Sequence, residues 1–438
     1  MITRLFLICT LYLLFALLLY RYCHSKRCSE KITFIIELFV LFLSVYLNLF
    51  LALLTPTGDS VYFSSVMARL TENGFFGFYD NAGITYPPLF NYLFFLLAKL
   101  LTALGVPLKW SYRAFVFGVK LPGIICVFLM AALIFQTARR YLPEKKQVLP
   151  LFLILLNPGY MLVTSYICQI DALYSFFSLL TLYLIVNKHL KTAYFAFAAG
   201  ILFKFQTLFI GPVLVFAIID QVLLRNFSWK RFFSHLFTGL SAIACMIASY
   251  IPFLYDFHSK KSGEQPLLYN FTTSVSGYGR ASTNAYNFWT LSGRNLRYDT
   301  ETFGPLSCSA FGMIFLILLV GACIFFFFRN RRDISIYPLL AAFLVSGIFC
   351  FSVRMMARYL YPALALLILS YAMKPSRNRF LCAVSFSAAF LLNVWCDYLV
   401  YPYAAYHDRL ILPYVISAYM LGCFAWLFYT LFEESLNH

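Results

Sequence analysis

Long apolar stretches separated by short basic loops dominate this sequence. Of the 438 residues, 62% are hydrophobic and only 12% are charged, whereas a soluble domain has about a quarter charged residues. A stretch of about 20 apolar residues crosses a bilayer as a helix, because backbone polar groups find no water inside the hydrocarbon and must bond within the segment. The sequence therefore predicts an all-α polytopic membrane protein.

Counting apolar stretches by length predicts about thirteen transmembrane spans. They are 5–20, 32–54, 116–137, 148–165, 170–187, 192–203, 207–224, 233–251, 309–328, 334–353, 359–373, 380–395 and 411–431. The first has no small-residue cleavage site after it, so we interpret it as an uncleaved N-terminal anchor helix. No repeat or soluble segment is visible, and residues 1–438 are predicted to form a single integral membrane domain.

The distribution of charge orients these spans. The net charge of +17 comes from basic residues in short loops, which the positive-inside rule places on the cytoplasmic side, so no nucleic-acid partner is predicted. Segment 86–104 could span, but the basic loop 139–146 would then lie outside. We therefore predict an interfacial helix there. The loops 55–115 and 252–307 are then predicted to lie on the outer side, and the C-terminus inside.

Polar residues on the predicted outer side are the candidates for chemistry. Asp59 follows the second span at the water boundary, where a carboxylate can act as a general base. Lys204 stands between two hydrophobic helices without a turn residue. A charge at the bilayer centre costs about 2.5–3.5 kcal/mol, so such residues tend to be functional, and we interpret Lys204 as the partner of a lipid phosphate. The alternative is an interfacial lysine that reaches water.

Arg354 and Arg358 are four residues apart. On a helix this spacing places both guanidinium groups on one face, and arginine suits phosphate oxygens. Both are predicted to bind a phosphate, with a simple interfacial anchor as the alternative.

Further outer residues are candidates for substrate binding. Loop segment 276–289 mixes amides, aromatic residues and glycines, which can bind sugars, although aromatic packing at the interface would look similar. At the junction of two spans, helix capping is the alternative for Gln169 and Asp171. The candidates are Asp80, Tyr86, Gln169, Asp171, Gln206, Arg280, Asn284, Asn287 and Trp289.

Several motifs are absent from the sequence. It contains no phosphate loop, no nucleophile elbow, no Asp-x-Asp and no histidine pair at metal spacing, so neither a cofactor nor a metal is predicted. Most of the 12 cysteines lie inside apolar spans as small hydrophobic residues. A sugar donor carried on a lipid phosphate fits this chain better than a sugar nucleotide.

Six short motifs follow one another along the chain: Gly58-Asp59, Tyr86-Pro87-Pro88-Leu89, Gln169-x-Asp171, Lys204-x-Gln206, Asn284-Ala-Tyr-Asn287-Phe-Trp289 and Met355-x-x-Arg358-Tyr359. Together they resemble the polyprenol-phosphate-sugar-dependent glycosyltransferases of the GT-C superfamily, most closely the prokaryotic mannosyltransferase-like branch related to the GPI mannosyltransferases. Relatives often carry His-Glu directly before the Arg-Tyr, where this chain has Met356-Ala357.

The resemblance implies inverting transfer of a sugar from a polyprenyl-phosphate donor to the hydroxyl of a glycan, lipid or polymer acceptor. Asp59 matches the base of that reaction, and Lys204 and Arg358 match the residues that bind the donor phosphate. We expect these three to meet in one pocket on the extracytoplasmic face of the cell membrane, within the cell envelope. An endoplasmic reticulum membrane with a lumenal site is the alternative, for which Asn270-Phe-Thr272 would be a sequon.

Two other functions stay open at this point. One is a flippase or transporter of lipid-linked saccharides, a class that more often shows internal repeats and paired broken helices, neither of which is visible here. The other is a structural or partner-binding membrane subunit.

Overall fold

The computed structural model describes residues 2–26, 28–54, 58–79, 86–225, 227–256, 259, 261–262, 271–272, 279–400 and 411–436. Within them, nine helices are long and apolar enough to cross a membrane, and five apolar helices are shorter. This confirms the predicted all-α polytopic class. The count of about thirteen spans stays a prediction.

Helices follow one another along almost the whole described chain. They are α1 (Ile2–Cys23), α2 (Glu30–Ala52), α3 (Gly58–Asn73), α4 (Pro88–Ala103), α5 (Arg113–Tyr141), α6 (Glu144–Leu155), α7 (Pro158–Tyr160), α8 (Asp171–Val186), α9 (Leu190–Phe203), α10 (Gly211–Ile218), α11 (Trp229–Ala248), α12 (Ile251–Leu254), α13 (Phe288–Leu291), α14 (Cys308–Asn330), α15 (Ile336–Phe351), α16 (Tyr361–Met373), α17 (Arg377–Trp395) and α18 (Ile411–Leu436).

Short irregular segments connect or extend these helices. The 3₁₀-helices are Phe205–Ile210 and Ala357–Leu360, and the π-helices are Met161–Tyr166, Ile219–Leu224 and Cys396–Val400. Six two-residue strands are β1 (Tyr255–Asp256), β2 (Lys261–Ser262), β3 (Ser282–Thr283), β4 (Thr302–Phe303), β5 (Leu306–Ser307) and β6 (Met355–Met356). β1 pairs with β2 and β4 with β5 in antiparallel fashion, and β3 pairs with β6 in parallel.

Serine side chains start three of the long helices. Ser228, Ser307 and Ser376 each accept a hydrogen bond from the backbone N–H three residues further on. Such N-caps satisfy a donor that the helix itself leaves open, and each stabilises its helix by about 1 kcal/mol. The beginnings of α11, α14 and α17 are therefore encoded locally.

The chain divides into two compact units. The first comprises Met1–Leu49, Cys126–Val163 and Gly279–His438, and the second comprises Phe50–Ile125 and Thr164–Tyr278. In the first unit, α14 to α18 pack successively on one another, with α15 and α16 almost wholly buried. Helix α1 packs on α6 and α17, and the Tyr12 hydroxyl donates to the Leu153 carbonyl at 3.2 Å.

In the second unit, α9 is central. It packs against α8, α11 and α4, while α3 packs on α4. The Tyr92 hydroxyl donates to the Ser249 carbonyl at 2.7 Å, which ties α4 to the end of α11. Helix α4 has 16 residues, about 24 Å in length, which is short of the roughly 30 Å hydrocarbon core. This length agrees with an interfacial helix, and that placement stays a prediction.

Candidate active site

Asp59 lies in the first turn of α3 and is half-buried. The N-terminal end of a helix carries a partial positive charge, which favours an ionised carboxylate there. The pKa of the Cys168 thiol is raised to about 12, mainly by burial; the charge of Lys120 acts to lower this pKa, and the charge of Asp59 acts to raise it. The second unit thus holds the Asp59 carboxylate and the Lys120 ammonium within electrostatic range of one thiol.

Lys120 is a charged residue that the sequence analysis missed. It is 2% exposed within α5, and its Nζ donates to the Ala52 carbonyl, at the C-terminal end of α2, at 3.3 Å. Cations are favourable at that end of a helix. The sequence does contain a signal for this residue: Lys120 lies between Val119 and Leu121 in an apolar span, where a charged side chain is energetically costly. Lys120 fixes the end of the helix that precedes Asp59.

Lys204 and Asp171 form a buried ion pair. The Lys204 Nζ lies 2.7 Å from Asp171 Oδ1, with side-chain exposures of 7% and 0%. Lys204 has extended backbone and ends α9 before the following 3₁₀-helix, so it stands between two helices as the sequence predicts. Its Nζ also lies 5.1 Å from the centroid of the Tyr174 ring. Asp171 is the first residue of α8, and its Oδ1 accepts a hydrogen bond from Lys204.

The backbone approaches closely around this ion pair. A Cβ added at Gly200 would lie 2.7 Å from Thr207 Cγ2 and 3.1 Å from Phe177 Cβ. A Cβ at Gly123 would lie 2.8 Å from Thr164 Cγ2 and 3.7 Å from the Gln169 carbonyl. Gln169 itself is buried, and Gln206 is half-buried in the 3₁₀-helix. Glycine at these two positions lets the elements that carry the predicted site residues pack together.

The prediction that Arg354 and Arg358 share a helical face is wrong. Arg354 has a φ of +65° and precedes β6, whereas Arg358 belongs to the next 3₁₀-helix. The reason is a tertiary pairing: β6 forms a parallel ladder with β3, which demands extended backbone between the two arginines. The Arg354 Nε donates to Asp299 Oδ2 at 2.5 Å, and Asp299 is 2% exposed.

Arg358 and Asn284 contact a π-helix at the end of α17. The Arg358 Nη1 donates to the Tyr398 hydroxyl at 2.5 Å. Asn284, with a φ of +53°, donates through Nδ2 to Asp397 Oδ1 at 2.9 Å. Arg358, Asn284, Asp397 and Tyr398 thus form a polar cluster in the first unit, in which Asp397 and Tyr398 are additional residues. No local pattern marks them, since both partners are more than 35 positions away.

The other candidates in this loop have different surroundings. Arg280 donates to the Leu296 carbonyl at 2.7 Å and stacks 4.1 Å from the Tyr298 ring centroid. Asn287 caps α13 and donates to the Phe349 carbonyl at 2.8 Å. Trp289 is fully buried, with its indole N–H donating to the Phe351 carbonyl at 3.0 Å. Asn287 and Trp289 therefore anchor the loop to the end of α15.

Two predicted residues belong to the first loop. Asp80 lies outside the described residues. Tyr86 stacks on Phe90 with ring centroids 4.3 Å apart, and its carbonyl accepts hydrogen bonds from the Tyr79 hydroxyl and Asn91. In the part of the chain that the structure describes, no group of three or more His, Cys, Asp and Glu side chains could hold a metal ion.

Comparisons with known proteins give one family match over part of the chain. Residues 86–251 match the family of dolichyl-phosphate-mannose-protein mannosyltransferases. The solved structure of ArnT from Cupriavidus metallidurans bound to undecaprenyl phosphate is 12% identical, with 94% of this chain and 78% of that chain covered and a TM-score of 0.47. No curated protein sequence matches significantly. The family match confirms the resemblance to GT-C glycosyltransferases and the predicted enzyme class, a membrane glycosyltransferase of that type.

Proposed function

We propose that this protein transfers a sugar from a polyprenyl-phosphate donor to an acceptor hydroxyl on the extracytoplasmic face, with inversion at the anomeric carbon. The observation that carries the proposal is the buried Lys204–Asp171 pair, which lies inside the segment that matches a family named for a dolichyl-phosphate sugar donor. A cation held in an apolar helical environment suits a lipid-linked phosphate that approaches through the membrane.

The reaction is a single displacement. Asp59 takes the proton of the acceptor hydroxyl, whose oxygen bonds to the anomeric carbon as the bond from that carbon to the phosphate oxygen breaks. Base catalysis of this kind contributes about 10²–10⁴-fold. Lys204 and Arg358 stabilise the charge that develops on the leaving polyprenyl phosphate, a type of stabilisation that is usually the largest single contribution.

The remaining residues are assigned supporting roles. Arg354 forms an ion pair with Asp299. We assign Arg354, held in place by this pair, to the donor-phosphate region. Asn284 is held in place by Asp397. We assign to sugar or acceptor binding the residues Asn284, Arg280, Asp80, Tyr86, Gln169 and Gln206. Asn287 and Trp289 support this loop from its buried side.

Substitution of Asp59 tests the mechanism. Asp59→Asn keeps the shape of the side chain but cannot accept the proton, so donor consumption should fall by about 10²–10⁴-fold. Purified protein is given a panel of polyprenyl-phosphate sugars with candidate acceptors, and release of polyprenyl phosphate is followed. Thermal unfolding of the variant serves as the control for folding. A variant that consumes donor at the wild-type rate would remove Asp59 from the mechanism.

A further inference from the structure

The second unit contains an apolar groove that the proposed reaction does not use. Its volume is about 480 Å³, and it is lined by α9, α10 with the following π-helix, and α11. Phe197 and Ile201 line it from α9, Leu214 and Ile218 from α10, and Ile243 from α11. A groove between helices that is lined by apolar side chains can bind a hydrocarbon chain.

Polar and basic groups gather at one end of this groove. The Tyr194 hydroxyl and His235 Nδ1 are 3.0 Å apart, and both residues line the groove. The Lys191 Nζ donates to Ser234 Oγ at 2.5 Å, beside His235. Arg231 lies in the first turn of α11, one turn before His235. The end formed by the beginnings of α9 and α11 is therefore positively charged.

In the described part of the chain, these cations have no acidic partners. Among the described residues, no carboxylate lies within ion-pair distance of Lys191, Lys230 or Arg231, whereas nearby Arg225 pairs with Asp220 at 2.7 Å. The positive-inside rule requires charge in a loop, but it does not require a groove with a Tyr–His pair beside that charge. Charge and cavity together suit an amphiphile with an anionic head.

We propose that the groove binds an anionic phospholipid, with an acyl chain between α9, α10 and α11 and the phosphate at Lys191, Arg231, His235 and Tyr194. Basic pockets between transmembrane helices on the cytoplasmic side bind anionic head groups. This head-group site is separate from the proposed donor-phosphate site, because Lys191 and Lys204 stand at opposite ends of α9, about 20 Å apart along the helix.

Removal of the charges tests the head-group site. Protein in a neutral detergent is titrated with phosphatidylglycerol or phosphatidylcholine, and the apparent affinity is read from the shift in thermal unfolding. Phosphatidylglycerol should bind more tightly, and Lys191→Gln with Arg231→Gln should weaken it about tenfold or more. A matched variant, Arg21→Gln with Lys26→Gln, loses two exposed basic residues of the first unit and should bind like wild type.

Filling the groove tests the chain site. Gly239 of α11 lines the groove, and a Cβ added there or at Gly422 of α18 meets nothing within 4 Å, so leucine can begin at both positions without a backbone clash. Gly239→Leu should lose most of the response to phosphatidylglycerol, and Gly422→Leu should keep it. The proposal is overturned if wild type responds equally to both lipids, or if the double glutamine variant binds phosphatidylglycerol as tightly as wild type. It is also overturned if polyprenyl phosphate displaces phosphatidylglycerol and loses its own binding in Gly239→Leu.

Discussion

Lys204 and Asp171 neutralise each other inside the second unit, and this pairing governs what either residue can do. Their side chains are 7% and 0% exposed. Loss of one partner from a buried ion pair leaves an uncompensated charge and costs about 3–5 kcal/mol, whereas replacement of both partners by neutral residues is often tolerated. Stability therefore requires that both charges be present or both be absent, whereas donor binding requires Lys204.

A double-variant cycle separates the effect of the pair on stability from its effect on donor turnover. Lys204→Met and Asp171→Asn should each lower the free energy of unfolding by about 3–5 kcal/mol, and the double variant should regain most of that loss. Donor turnover should stay low whenever Lys204 is absent, because the phosphate has lost its cation. Unfolding in detergent and donor consumption are measured for all four proteins. A double variant with wild-type turnover would show that Lys204 has only a structural role.

At this scale the sequence reveals charges but not their partners. Lys204 was recognisable because a lysine inside an apolar stretch is costly, and Lys120 carried the same signal. Tyr398 carried none, since its contact with Arg358 depends on two segments that are distant in the chain. Asn287 and Trp289 resembled sugar-binding residues by type, yet their side chains bond to backbone carbonyls of the α15 region.

Among the elements, the break between α9 and the following 3₁₀-helix sets the position of Lys204. The break is tight because Gly200, one turn before Lys204, lies against Thr207, three residues after it. A β-branched threonine cannot swing away easily, so the two segments can approach only if residue 200 has no side chain. The spacing of the break thus depends on one glycine.

Alanine substitution at two glycines on either side of the break tests this dependence. Gly200→Ala places its Cβ 2.7 Å from Thr207 Cγ2, whereas Gly211→Ala meets its nearest atom, Phe197 Cζ, at 3.4 Å. Overpacking costs about 1–3 kcal/mol, so Gly200→Ala should lower both stability and donor turnover. Gly211→Ala should be nearly neutral in both. Equal stability of the two variants would contradict the close approach.

The long helices were predictable from their apolar length, because that signal is local, and the serine residues that cap three of them are local signals as well. The structure around Arg354 was not. Its four-residue spacing to Arg358 indicates a helical face, but pairing of β6 with β3, about 70 positions earlier, overrides that local signal. Local patterns cannot reveal a pairing that the fold creates between distant segments.

For the whole molecule, composition predicted the membrane class, and the helices confirm it. Each compact unit joins segments that are far apart in sequence, an arrangement without a local signal. The direction in which the chain crosses the membrane rests on the basic loops alone.

Single cysteines placed in two loops test that direction. Lys26 and Lys109 are both exposed in the structure, and the charge pattern places Lys26 inside and Lys109 outside. In intact cells, a membrane-impermeant thiol reagent should label Lys109→Cys directly and Lys26→Cys only after permeabilisation. The parent protein without these substitutions gives the background from its own cysteines. The reverse pattern would move the proposed site to the cytoplasmic face.

The identity of the donor and the configuration of the product test the central claim most directly. Purified wild-type protein is given polyprenyl-phosphate sugars and, separately, sugar nucleotides, and the anomeric configuration of the product is determined by NMR. We predict that only a polyprenyl-phosphate sugar is consumed, with release of polyprenyl phosphate and inversion at the anomeric carbon. Transfer from a sugar nucleotide, or retention of configuration, would contradict the account.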